Sequence, residues 1–391
     1  MIGRILDGLP WPRKNLLPLV GIMVLVGLVE YTRAGIYTAY LPQKMGGLLG
    51  LGAVGLAATV QYLADTLSRS PGGHLSERFG INRVLPLSAL LAAVSALGII
   101  FAPSAKWLFL ASFANGLFVA PLWPTLLSYT SHAANSSEDG RAIGVTFTFI
   151  APFIGLGVLL TGFLYDHSPE LAAASLALIQ LLMVVWALAF VRRIAFAAET
   201  QGDFSLSRFP WKKIAFLAPG ALAQMFALGL LTPVIFPYLK GLGFSTSQLV
   251  IALLVGGGLE FALISPVGKL VDKHHPGIGF VTALFMAPLA LLGFALMNSF
   301  TAFLLVAAYA GLVQALLIPS WGAFVSHSLP AEFRTSSWGA LMTLEGLGFA
   351  IGPVIGGYSW QYLGSRAPFF IGAALYAAAA VFYFLKLRQK P

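Results

Sequence analysis

The sequence contains 391 residues, of which 58% are hydrophobic and only 9% are charged, whereas soluble domains average roughly 25% charged residues. So few polar side chains cannot cover a compact soluble fold, and much of the apolar surface must face lipid. The chain has no cysteine, which excludes a disulfide scaffold, a thiolate metal site and a cysteine nucleophile. The composition therefore predicts an integral membrane protein built from helices.

Apolar runs long enough to cross a bilayer, which takes about 20 residues per helix, recur along the whole chain. We predict an all-α protein with twelve membrane spans, near residues 15–40, 51–74, 82–103, 105–130, 140–165, 170–193, 212–240, 246–270, 277–298, 300–327, 335–361 and 366–387. The longest polar connection separates six spans from six. We therefore expect a six-helix bundle at 1–193, a cytoplasmic linker at 194–211 and a second six-helix bundle at 212–391.

Basic residues are distributed unevenly between the two sides of the predicted spans. Most Lys and Arg residues lie on the side of both termini, whereas the opposite connections contain only Lys44, Lys106, Lys240 and Arg366. The positive-inside rule then predicts a multi-pass protein of the cell membrane with both termini in the cytoplasm. This orientation signal accounts for the net charge of +9. We expect no nucleic-acid partner, because no basic groove with interleaved aromatic residues is evident.

The two predicted bundles are internal repeats. At an offset of 195 residues, Pro42 aligns with Pro237, Asp65 with Glu260, Gly73 with Gly268, Gly116 with Gly311, and Pro124 with Pro319. One offset maintained over so long a stretch indicates a duplicated six-helix unit. Secondary transporters use such parallel repeats as two bundles that rock around a site at the membrane midplane.

A loop motif occurs once in each repeat. GGHLSERFG (72–80) and VGKLVDKHH (267–275) resemble the G-x-L-x-D-R-x-G signature of the major facilitator superfamily. The resemblance implies that fold, alternating access, and a conformational latch at this loop. The latch residues would be Gly73, Glu77, Arg78, Gly268, Asp272 and Lys273. Glu77 replaces the usual aspartate, and His274-His275 stand where the family often has a glycine.

Ionisable residues also lie deep inside the predicted spans. Each costs a few kcal/mol at mid-bilayer and needs a partner, a watery cavity or a neutral state. Glu30 and Arg33 are three residues apart, and Asp65 and Arg69 are four apart, so each pair shares a helix face. These four residues predict one polar cluster in the N-terminal bundle that holds a hydroxyl-rich or charged headgroup.

Proton coupling needs a carboxylate whose proton affinity differs between two conformations. Asp65 could exchange contact with Arg33 or Arg69 for a drier setting, so we predict it as the protonation site, with Glu30 second. A permanent ion pair that fixes helix register is the alternative for both. For Glu260 and Glu345, a substrate contact and a neutral hydrogen-bonded acid are both open.

Several segments narrow the resemblance within the superfamily. LVEYTRAGIY (28–37), YLADTLSR (62–69), APLWPTLLS (120–128) and IPSWGAF (318–324) resemble the corresponding segments of bacterial glycolipid flippases. The resemblance implies that Glu30, Arg33 and Asp65 form the headgroup and proton cluster. It also implies that Trp123 and Trp321 line the substrate cavity. Packing between helices or anchoring at the membrane interface is the alternative for both tryptophans.

These patterns favour a proton-coupled flippase or exporter of an amphipathic, lipid-linked substrate. A proton-driven multidrug or small-solute antiporter is the alternative. We expect no enzyme, since no nucleophile, base and orienter are evident, and no metal, since no ligand spacing such as HExxH occurs. The expected energy source is the proton gradient without a cofactor. The expected partners are the substrate and membrane lipids, with the monomer as the working unit.

Overall fold

The structure is a computed structural model that describes residues 10–134, 139–194, 210–273, 276–329 and 334–388. The linker expected at 194–211 falls almost wholly outside these residues, and so does the His274-His275 pair. The side chains of 13–14, 139–141, 272, 276 and 334–338 are likewise not described. All regular elements in the described ranges are helices, as the apolar composition predicts.

In the first half of the chain the helices are α1 (Arg13–Ala34), α2 (Leu41–Leu49), α3 (Leu51–Phe79), α4 (Ile81–Ile100), α5 (Ala105–Val119), α6 (Leu122–Ala133), α7 (Asp139–His167) and α8 (Pro169–Ala189). A π-helical turn, Gly35–Tyr40, joins α1 to α2, and a 3-10 turn, Val191–Arg193, follows α8. In the second half they are α9 (Trp211–Leu231), α10 (Ile235–Gly241), α11 (Thr246–Lys273), α12 (Pro276–Leu296), α13 (Phe300–Ser328), α14 (Arg334–Leu363) and α15 (Ala367–Arg388).

Eleven helical segments of the described chain are long and apolar enough to cross a membrane. They coincide with eleven of the twelve predicted spans. The remaining prediction, 51–74, corresponds to α3, which has 29 residues but is too polar to be counted with the others. Its apolar character is interrupted by Gln61, Asp65 and Arg69. The helix is therefore long enough to span the bilayer, and the residues that reduce its hydropathy are those expected to form the polar site.

Three predicted spans have different internal structure from that expected. The first extends to Leu49, so Lys44 lies in a helix rather than in a loop. The fourth is interrupted between Val119 and Leu122, and the seventh between Leu231 and Ile235. Pro121 and Pro233 lie at these two breaks. Proline lacks an amide hydrogen and its ring obstructs the preceding turn, which accounts for both breaks.

The chain divides into two compact units: residues 1–49 with 56–201, and residues 50–55 with 202–391. The core of the first unit includes Leu19, Leu25, Leu85 and Leu126, all fully buried. In the second unit an aromatic cluster surrounds Phe280, whose ring centroid lies 5.2 Å from those of Phe324 and Tyr383. Each unit thus has its own apolar interior.

Equivalent positions of the sequence repeat make equivalent contacts in the two units. A Cβ atom at Gly116 would overlap the carbonyl oxygen of Gln61, and one at Gly311 would overlap that of Gly256. The offset of 195 residues relates Gly116 to Gly311 and Gln61 to Gly256. Ser104 and Ser299, also at that offset, each cap a helix by accepting a hydrogen bond from the backbone amide three residues later. The repeat is therefore preserved in three dimensions.

The glycine contacts lead to a stability prediction. Gly116→Ala and Gly311→Ala should each separate two helices and destabilise the protein by about 1–3 kcal/mol, the usual cost of overpacking. The matched controls are Gly144→Ala and Gly339→Ala, another repeat pair, where an added Cβ atom meets no atom within 4 Å. Because alanine favours helices over glycine, the controls should be neutral or stabilising. Thermal unfolding in detergent measures both; equal melting temperatures for test and control variants would contradict the packing account.

Candidate functional site

Two helices of the first unit carry the ionisable residues singled out in the sequence. Glu30 and Arg33 lie in the last two turns of α1, directly before the π-helical turn, and Asp65 and Arg69 lie in the middle of α3. The spacings of three and four residues place each pair on one helix face, as predicted. π-Helical turns occur frequently at functional sites because they change the direction of neighbouring side chains.

The Arg33 guanidinium connects the two helices. Its Nη2 donates to Glu30 Oε1 at 2.5 Å and its Nε donates to Oε2 at 3.2 Å. Its Nη1 donates to Asp65 Oδ2 at 2.7 Å. Arg69 completes the group, with Nη2 and Nε at 3.0 and 3.3 Å from the Asp65 carboxylate. The structure thus brings all four predicted residues together; we refer to Glu30, Arg33, Asp65 and Arg69 as the acid–base cluster.

Burial and charge differ across the acid–base cluster. Asp65 is 1% exposed and Glu30 5% exposed, whereas the Arg69 side chain remains 26% exposed. Two carboxylates face two guanidinium groups, so the formal charges cancel when all four are ionised. Such compensation reduces the cost of placing charges inside a membrane, which is high for an unpaired charge.

Aromatic side chains surround the acid–base cluster. The Arg33 guanidinium lies 4.8 Å from the ring centroid of Tyr62, within cation–π distance, and Tyr62 lies 6.0 Å from Tyr37. The indole Nε1 of Trp123 donates to Glu30 Oε1 at 2.6 Å. Trp123 also stacks on Phe147 at 5.2 Å and is only partly buried. An indole face beside charged groups suits a sugar ring or a cation.

Sequence reasoning missed a second group of polar residues next to the acid–base cluster. Gln61, one helical turn before Asp65, donates to Asn115 at 3.3 Å, and Asn115 donates to Ser95 at 3.2 Å. Gln61 is fully buried and its Oε1 atom has no hydrogen-bond partner. Its polarity within an apolar span was a usable signal, as was that of Asn115. Tyr62, three residues before Asp65 on the same helix face, could also have been found.

In the second unit the structure brings together two of the three predicted residues. The indole Nε1 of Trp321 donates to Glu345 Oε1 at 3.0 Å. Trp321 is 7% exposed and packs 5.0 Å from Phe280, so it lies between helices of its own unit. Glu260 is partly buried on α11 and forms no hydrogen bond or ion pair with the described residues.

The repeated loop motifs lie at the ends of α3 and α11, and most of their described charged side chains are exposed rather than buried. Gly73 faces Pro124, and Gly268 faces Pro319, the equivalent pair in the repeat. Glu77 and Arg78 are exposed; Glu77 lies 3.8 Å from His74, and Arg78 lies 5.3 Å from the ring of Phe79. Lys273 is exposed, and the side chain of Asp272 is outside the described residues. The two glycines thus face equivalent prolines in the two repeats, and the charged residues of the first motif face solvent.

Potential metal ligands are not grouped in the described part of the chain: no three His, Cys, Asp or Glu residues there could hold a metal ion. The acid–base cluster can accept hydrogen bonds at its carboxylates and donate them from its guanidinium groups.

Comparisons with known proteins agree with this architecture. The family model of the Major Facilitator Superfamily matches residues 23–297 and 217–391, which together span nearly the whole chain. A protein of Staphylococcus haemolyticus named proton-coupled antiporter flippase LtaA is 26% identical over 94% of this chain and 95% of its own length. The LtaA protein of Staphylococcus aureus is 23% identical over similar shares of both chains.

Solved structures show the same fold. The nucleoside transporter NupG superposes with a TM-score of 0.72 at 14% sequence identity, covering 95% of this chain and 100% of its own. A mutant of NupG gives a TM-score of 0.74 over 94% of this chain. At this identity the likeness concerns the fold alone. The family match, the duplicated bundles and the apolar spans lead to one conclusion: the chain belongs to the Major Facilitator Superfamily, as a multi-pass membrane transporter.

Proposed function

We propose that this transporter moves an amphipathic, lipid-linked substrate such as a glycolipid across the cell membrane, by alternating access and in exchange for protons. The observation that carries the proposal is the buried acid–base cluster, in which Arg33 holds Glu30 and Asp65 together. The similarity to the flippases, which extends over 94% of the chain, supports the choice of substrate class over drugs and small solutes.

The acid–base cluster is suited to a polar headgroup rich in hydroxyl groups. Sugar hydroxyls can donate to the ionised carboxylates of Glu30 and Asp65 and accept from the guanidinium groups. Trp123 is partly buried and already oriented by its hydrogen bond to Glu30, so its indole offers an aromatic surface for a sugar ring beside the carboxylate. Arg69 is the most exposed member and provides the first contact for an entering headgroup.

Protons and headgroups would compete for the same carboxylate oxygens. Asp65, the most buried acid, accepts hydrogen bonds from both Arg33 and Arg69. Protonation removes its charge, weakens both contacts and replaces an acceptor with a donor. A bound hydroxyl that donates to the ionised form is then released. This competition is the thermodynamic requirement for antiport, since each ligand reduces the affinity for the other; Glu30 is the second candidate for the same role.

The remaining features complete the proposal. Gly73, Glu77, Arg78, Gly268, Asp272 and Lys273 act as the conformational latch on the cytoplasmic side, where both termini also lie. The transporter works as a monomer and uses no cofactor besides the proton gradient. Trp321, Glu260 and Glu345 contribute from the second unit.

The first test separates a proton carrier from a permanent ion pair. Asp65→Asn leaves Arg69 without an ionised partner, so we expect a loss of stability of about 3–5 kcal/mol together with a large decrease in gradient-driven lipid transport. Asp65→Asn combined with Arg69→Gln restores the charge balance. This double variant should recover most of the melting temperature and yet respond to a proton gradient much less than the wild type does.

The control for this test is Arg69→Gln alone, which retains Asp65 and its contact with Arg33. It should keep a gradient-dependent rate, at a lower absolute value. The readout is the ratio of the leaflet-exchange rates of a fluorescent glycolipid in liposomes, measured with and without the gradient. A double variant with the same ratio as the wild type would show that Asp65 is only a structural partner.

A second test concerns the geometry of Arg33. Arg33→Lys keeps the positive charge, but one ammonium group cannot donate in the fork geometry that now reaches both Glu30 and Asp65. We expect a decrease in transport of about tenfold or more, which corresponds to about 1.4 kcal/mol. Arg69→Lys is the matched control: it loses contacts to one carboxylate only, at a more exposed position, and should cost less than about threefold. Equal losses in the two variants would contradict the bridging role of Arg33.

A further inference from the structure

Each unit contains one glutamate that is held by a tryptophan indole. In the first unit Trp123 Nε1 donates to Glu30, and in the second Trp321 Nε1 donates to Glu345. The two pairs differ in one respect. Glu30 has Arg33 as a cationic partner at 2.5 Å, whereas Glu345 has no Lys, Arg or His within ion-pair distance among the described residues.

The indole beside Glu345 is held rigidly. Its ring packs 5.0 Å from Phe280. On the side of α9, a Cβ atom at Gly220 would lie 3.1 Å from Trp321 Cζ3, so the helix backbone is in direct contact with the ring. Trp321 therefore presents its N–H group to the carboxylate in a fixed position, and rotation away from Glu345 would require the surrounding aromatic cluster to move.

The helices packed around this pair supply no counter-charge. Helix α14 packs against α9, where Gly348 lies against the backbone at Leu222. No residue of α9 between Phe216 and Leu222 is ionisable. On α12 the neighbour of the indole is Phe280. On α15, Tyr383 packs 5.2 Å from Phe280, and its hydroxyl donates to the carbonyl of Phe216 at 2.9 Å and accepts from Gly220 N.

Charged residues of these helices lie further along each helix. They are Lys212 and Lys213 near the start of α9, His327 near the end of α13, and Lys386 and Arg388 near the end of α15. None of them forms an ion pair with Glu345. His327 Nδ1 is 2.8 Å from the carbonyl oxygen of Ala323. Residues 50–55, at the start of α3, group with this unit and contain no ionisable side chain.

An ionised carboxylate in this setting would rely on a single indole N–H group. Within a membrane-spanning helix that is poor compensation, and such acids carry a proton or face a cation. Glu345 Oε1 accepts from Trp321, whereas Oε2 has no hydrogen bond to another described residue, and the side chain is only partly buried. Oε2 can therefore take up a proton without breaking a hydrogen bond to another described residue.

We propose that Glu345 is a second proton-binding group, which takes up and releases a proton in each transport cycle separately from Asp65, with Trp321 as its positioning residue. This proposal rests on the proposed proton-coupled transport. Each unit then has its own proton-binding carboxylate. Arginines neutralise the negative charge of Asp65, and the bound proton neutralises that of Glu345. The proton passes from water to Oε2 and back to water, and no other bond changes.

The direct test detects the proton without any substrate. Infrared difference spectra of the protein in lipid bilayers, recorded while the pH is stepped, show the carbonyl stretch of a protonated carboxyl group. We expect a band that appears as the pH falls and is absent in Glu345→Gln. Glu170→Gln, at an exposed carboxylate near the start of α8, is the control and should keep the band. Identical spectra of the wild type and Glu345→Gln would overturn the proposal.

A second variant keeps the test decisive if Glu345→Gln does not fold. Trp321→Phe retains an aromatic ring but removes the N–H donor that favours the ionised carboxylate. The midpoint of the Glu345 band should therefore move to higher pH. A permanently protonated, purely structural acid would show the same band at every pH in both proteins, which would also reject a cycling proton.

Transport measurements relate the site to coupling. In liposomes, the number of protons moved per glycolipid should fall by about half in Glu345→Gln, because one of two proton carriers is lost. An unchanged ratio would overturn the proposed participation of Glu345 in the cycle. If the wild type moves no glycolipid at all, the proposed function fails instead, and the infrared band still decides whether Glu345 binds a proton.

Discussion

The contact on which the site depends is the bridge from Arg33 of α1 to Asp65 of α3. One guanidinium group satisfies two buried carboxylates on two membrane-spanning helices, at 2.5 Å from Glu30 and 2.7 Å from Asp65. None of these charges could remain ionised alone at that depth without a large cost. The same charge compensation makes the acid–base cluster sensitive to protonation and to ligands, because a change in the charge of one member alters the contacts of the others.

The duplicated architecture gives the two units similar packing but different chemistry. Glycines at equivalent positions, Gly116 and Gly311, allow equivalent backbones to approach closely. At the sites themselves the repeat is not followed: Asp65 lies in an ion-paired cluster, whereas its repeat partner Glu260 has no described partner. Duplication thus preserved the helix packing, while the polar side chains of each unit diverged. A lipid-linked substrate, which is polar at one end and apolar at the other, is consistent with such asymmetry.

Much of the fold was accessible from the sequence because bilayer thickness imposes a length on apolar helices. The acid–base cluster was also accessible, since spacings of three and four residues place Glu30 beside Arg33 and Asp65 beside Arg69. Sequence spacing could not show that Arg33 reaches Asp65, because the rotation of α1 against α3 depends on the packing of the whole unit. The indole contact between Trp321 and Glu345, 24 residues apart, was inaccessible for the same reason. The polar residues of α3 can be seen in the sequence. They lower the mean hydropathy of this span, so hydropathy alone argues against a membrane helix at the place where the polar site lies.

The central claim is that movement of a lipid headgroup and movement of a proton are coupled in this chain, and coupling is reciprocal. The most direct measurement therefore uses a lipid gradient to drive protons instead of a proton gradient to drive lipid. It starts from liposomes that hold glycolipid in one leaflet only and have equal pH on both sides. The account predicts that relaxation of the lipid asymmetry drives protons in the opposite direction, detected as a pH change inside the vesicles. Lipid that equilibrates through the protein without any change in internal pH would contradict it.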